Sequence, residues 1–74
     1  MNIYCVKFTA TRQGQKNEFT VGIEEIANDD SAAISGAIKA LDKHYPNINV
    51  IFKSVELVES VESRVKKLNQ WARD

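Results

Sequence analysis

Cys5 and His44 carry the most direct chemistry in this chain, because a thiol deprotonated by an imidazole is a nucleophile. Each is the sole residue of its kind, the two are far apart in sequence, and no local signature surrounds either one. Structural roles are the expectation for both: His44 follows Lys43 at a helix end, where a cation suits the dipole, and Cys5 lies in an alternating strand. Glu18, Glu24, Glu25, Asp29 and Asp30 place five negative charges in succession without a positive between them. They lack the ligand spacing and turn glycine of a calcium loop, so they read as a solvated connection or as an acidic surface that meets a basic groove or imitates phosphates. Arg64, Lys67 and Trp71, at spacings of three and four, line one side of a helix and offer an interface anchor or a stacking patch for bases. The candidate partner-binding residues are therefore Glu24, Glu25, Asp29, Asp30, Arg64, Lys67 and Trp71.

The remaining kinds of chemistry have no residues to carry them. There is no cysteine and histidine set at zinc spacing, no paired-carboxylate signature and no phosphate-cradling glycine loop, so neither a metal, a cofactor nor an enzymatic activity is expected. Ten basic and ten acidic residues cancel, which removes the global field that gathers nucleic acid or anionic membrane. The charges are segregated all the same, since Arg64, Lys66, Lys67 and Arg73 outweigh Glu62 and Asp74 at the C-terminus. With no signal-peptide pattern and no apolar run near the roughly 18 residues that span a bilayer, a soluble cytoplasmic protein is expected.

The elements that must position these residues follow from periodicity. At 43% hydrophobic and 27% charged, the 74 residues make a single domain, of a size at which one core yields only about 3–5 kcal/mol of net stability. Residues 2 to 12 alternate, with Tyr4, Val6, Phe8 and Ala10 on one face and Lys7, Thr9 and Thr11 on the other, preceded there by Ile3 and Cys5. A loop around Gly14 leads to a second strand, in which Phe19 and Val21 are expected to meet Phe8 and Val6. Gly22 inside that strand marks a bulge or a close approach.

Asp30 or Ser31 is the expected cap of a helix whose stripe is Ile34, Ile38, Leu41 and Tyr45, with Ala37 beside it; Pro46 ends it near His44. Ala33, Gly36, Ala37 and Ala40 form a small-residue flank that invites close approach. The third strand, about Asn49 to Val58, is apolar in two phases, Val50 and Phe52 then Val55 and Leu57; a bulge at Lys53-Ser54 puts both on one face, and burial on both faces is the alternative. From Ser60, the expected cap, a second helix carries Val61, Val65, Leu68 and Ala72 on one stripe, with Trp71 at its edge. The expected fold is α+β, ordered β-β-α-β-α, with a three-stranded sheet in the order 2-1-3; order 1-2-3 is the alternative. Ile3, Cys5, Ile51 and the strip Ala33, Gly36, Ala40 are surfaces to be covered by the second helix or by a homodimer contact.

A hairpin, a helix opened by Asp29-Asp30-Ser31 and closed by Tyr45-Pro46, and a third strand together resemble the short orphan proteins carried by bacteriophages and prophages. That resemblance implies a host-interaction or counter-defence protein, of which anti-CRISPR inhibitors are one example, acting by occluding a site on a larger machine. The expected function is a noncatalytic protein-binding module, because the composition supports a fold while residues for chemistry are absent. The alternative is a small nucleic-acid binder using the basic C-terminal helix, with steeply salt-dependent affinity.

Overall fold

Strict alternation makes β1 (Asn2–Arg12) the central strand: Val6, Phe8 and Ala10 are almost wholly buried on one face, while Ile3 is buried on the other. The computed structural model describes residues 1–73 and side chains through Trp71; Ala72 on the expected stripe and the charges of Arg73 and Asp74 lie outside the described side chains. β2 (Glu18–Ala27) and β3 (Ile48–Ser60) both pair antiparallel with β1, giving the expected order β2-β1-β3. β2 and β3 therefore run parallel to each other, and α1 (Asp30–His44) is the crossover that links them over the face of Tyr4, Val6 and Phe8.

The hairpin turns at Gly14, whose φ of 83° lies where only glycine is comfortable. Its register sets Phe8 against Val21, Val6 against Ile23 and Ala10 against Phe19, one pair away from the expected match of Phe19 with Phe8. The faces are as expected; the loop length decided the offset. Gly22 stays in regular register opposite Lys7, and the atom near its open side is the Cys5 sulfur, 3.8 Å from where a Cβ would stand.

β3 is bulged where its apolar phase changes. Phe52 pairs with Phe8 and Ser54 with Lys7, so Lys53 is the extra residue, and Val50, Phe52, Val55 and Leu57 all join the face that α1 covers. The Phe8 and Phe52 rings meet edge to face, with centroids 6.3 Å apart. A second register shift makes Val58 the extra residue between Leu57, opposite Tyr4, and Glu59, opposite Ile3. Nothing in the apolar pattern announced this bulge, and it turns Glu59 onto the other face of the sheet.

α1 is capped by Asp29, whose carboxylate accepts from the Ala32 N–H at 2.8 Å, rather than by the expected Asp30 or Ser31. Asp30 instead accepts from the Ser31 N–H. The helix ends at His44 as expected, with Tyr45 donating its N–H to Leu41. Its buried line is Ala33, Ala37 and Leu41, so the expected stripe is rotated: Ile34 is half-buried, and Ile38 and Tyr45 are 45% and 55% exposed. The cause is the small-residue flank. A Cβ on Gly36 would stand 2.8 Å from Glu25 Oε2, which shows how closely α1 settles on β2.

α2 (Val61–Arg73) follows β3 directly, with the Ser60 hydroxyl accepting from the Ser63 N–H at 3.0 Å, the expected cap. It covers Ile3 on the face opposite α1, and its apolar side chains become more exposed from Val65 to Trp71. The radius of gyration is 14.8 Å, against about 11 Å for a compact chain of this length. The accessible surface is 5658 Å², roughly 1,000 Å² more than is usual for 8.3 kDa. Among the described residues, no helix is long and apolar enough to cross a membrane.

Candidate functional site

Acidic and basic charges expected on separate surfaces meet at the root of α2. Arg64 reaches back across 40 residues to β2, where Nη1 and Nη2 donate to the two carboxylate oxygens of Glu24 at 2.9 and 3.2 Å. This paired geometry is the strong form of an arginine–carboxylate contact. Glu59, turned to this face by the Val58 bulge, lies 3.5 Å from Arg64 Nε through Oε1 and accepts from Lys67 Nζ through Oε2 at 3.2 Å. Glu59 is the least exposed of the four, and its Oε1 is buried with the Arg64 charge beside it but without a hydrogen bond among the described residues. Hydrogen bonds from Arg64 hold the Glu24 carboxyl below the ordinary range, against a smaller opposing effect of desolvation, and the same bonds raise Arg64 further.

The rest of the acidic run is dispersed. Glu25 stands opposite Tyr4, on the α1 face, against Gly36; Asp29 and Asp30 serve the start of α1; Glu18 pairs with Thr11 at the hairpin end. No single acidic patch results. Cys5 sits half-buried between Glu24 and Glu56 on the α2 face. His44 is exposed at the end of α1, lining an open depression of about 640 Å³ with Arg12, Gln15 and Asn47. The sheet separates thiol from imidazole. Among the described residues, no group of three or more potential ligands is gathered for a metal ion.

What the ion pairs do achieve is to fix α2 while leaving its apolar stripe open. Val61 is half-buried against the sheet, and exposure then rises to 50% at Val65, 58% at Leu68 and 79% at Trp71. Ile3, Ile26, Val65 and Leu68 line an apolar cleft of about 370 Å³ that has the Glu24–Arg64 pair at its side. Trp71, one of the residues singled out by spacing, is thus presented outward. Arg64 and Lys67 position the helix that carries it.

Of the other surfaces marked for covering, Ile3 lies beneath α2 and Ala33 beneath α1, whereas Ile51 is 71% exposed. Val65 and Leu68 stand outside the candidate residues named from the sequence, although the spacing of Val65 four residues after Val61 and of Leu68 three residues before Trp71 was the available signal for this exposed stripe. No protein-family model matches this chain, and no curated protein or solved structure matches it either.

Proposed function

We propose that this chain is a noncatalytic protein-binding module that seats the outer stripe of α2, Val65, Leu68 and Trp71, in an apolar groove of a partner protein and so occludes it. The observation that carries this reading is the combination of an anchored root and an open stripe: Arg64 and Lys67 hold α2 to Glu24 and Glu59, while Trp71 is 79% exposed. A tryptophan with adjoining aliphatic residues on a pre-ordered helix is the usual anchor of a helix-in-groove contact, because little conformational entropy remains to be lost. Exposed Lys66 suits a groove rimmed by carboxylates. The resemblance to phage-borne orphan proteins makes a counter-defence inhibitor, such as an anti-CRISPR protein, the finer form of the proposal. Nucleic acid is the weaker alternative, since Arg64 is already engaged by Glu24 and the net charge is zero.

Affinity capture from a bacterial lysate, with and without nuclease, compares the intact protein with a Leu68→Ser, Trp71→Ala double variant. The intact protein is expected to retain a partner protein in stoichiometric amount whether or not nuclease is present. The variant, with an unchanged circular dichroism spectrum, is expected to bind it about thirtyfold more weakly or worse. Equal retention by the variant, or retention of nucleic acid that falls steeply with salt, overturns the reading.

A further inference from the structure

A second uncovered surface lies at the opposite edge of the sheet. β3 is an edge strand of 13 residues, and its outer side offers backbone N–H and C=O groups to any strand that can lie beside it. The side chains along it are open on both faces: Ile51 is 71% exposed, Leu57 61%, Phe52 46% and Val58 45%. Above them, the rotation of α1 leaves Ile38 and Tyr45 uncovered on the flank that leans toward Ile48 and Val50.

We propose that a second copy of this chain supplies a neighbouring strand, by antiparallel pairing of β3 with β3 about a two-fold axis near Ser54 and Val55, to give a continuous six-stranded sheet. Charge selects this occupant and this edge. β3 carries both signs, Lys53 against Glu56 and Glu59, and a two-fold at Val55 sets Glu56 of each copy opposite Ser54 of the other, on the face that both share, with Lys53 next to that pair in the bulge. β2, the other edge, carries only Glu18, Glu24 and Glu25, so self-pairing there would set like charges together. Area agrees. A stable interface takes about 800 Å² from each partner; the exposed parts of Ile38, Tyr45, Ile51, Phe52, Leu57 and Val58 offer roughly 500 Å², before the strand backbone is added. The two-fold also brings the Ile38 flanks of both α1 helices toward one another over Phe52 and Leu57. This surface is separate from the α2 stripe, and the dimer stands or falls independently of what α2 binds.

Sedimentation velocity on the intact protein, from about 1 to 500 µM, is expected to show a species of twice 8.3 kDa whose fraction grows with concentration. Leu57→Lys and Ile51→Lys, both at exposed positions, are expected to be monomeric with unchanged circular dichroism. Lys53→Glu and Glu56→Lys each weaken self-association about threefold to tenfold, and the double reversal restores it, a rescue that only antiparallel self-pairing produces. Leu68→Ser with Trp71→Ala leaves the dimer intact. A strict monomer over the whole range, a dimer that survives Leu57→Lys, a dimer lost with the α2 variant, or single charge reversals without effect overturns the proposal.

Discussion

Arg64 spans two strands, taking Glu24 from β2 and Glu59 from β3, and it does so at the point where α2 leaves the sheet. Because the folded Glu24 carboxyl titrates below its ordinary 4.5, its contribution to stability is present above the unfolded-state value and is lost as pH falls through the folded one. An NMR titration should therefore find Glu24 with a midpoint below that of an ordinary glutamate, and Arg64→Met should return it upward. At Gly36 the opposing effects can be separated. Alanine gains about 1 kcal/mol of helix propensity, yet its Cβ would meet the Glu25 carboxylate at 2.8 Å. Urea unfolding should show Gly36→Ala gaining less than that amount in the native background and all of it in Glu25→Ala, so the two substitutions are coupled.

At the scale of elements, α1 is the clearest departure from pattern. Its wheel places Ile34, Ile38, Leu41 and Tyr45 together, but a helix settles on a sheet by how near its backbone can come. The small residues Ala33, Ala37 and Gly36 therefore set the rotation. Chemical unfolding tests this: Leu41→Ala should cost about 2–5 kcal/mol and Ile38→Ala less than about 1 kcal/mol. Asp29→Ala should cost about 1 kcal/mol, more than Asp30→Ala or Ser31→Ala, because Asp29 is the residue that caps. The strands and their order were legible because β1 alternates strictly and both of its faces are apolar near Ile3, which marks a central strand. The Lys53 bulge was legible from the phase change between Phe52 and Val55. The Val58 bulge was not, since Leu57 and Val58 are both apolar and show no change of phase there. Nor was the Glu24–Arg64 pair, which joins residues 40 apart that no local spacing rule connects.

The whole molecule buries little for its length. Among the described residues nine apolar side chains are buried, of which four are alanines, and Phe8 and Val6 are the largest fully enclosed. A core of this size leaves a stability of only about 3–5 kcal/mol, so any association linked to the folded state should be visible in it. The thermal midpoint of the intact protein should rise with protein concentration, while that of Leu57→Lys should stay constant. The protein is thus a small sheet with two uncovered surfaces, and the claim that matters for function is that α2 meets the partner. Amide hydrogen exchange on the captured complex tests it most directly. Added protection is expected across Val61–Trp71 with none gained in Ile48–Ser60; protection gained in β3 or α1 while α2 exchanges as before would contradict it.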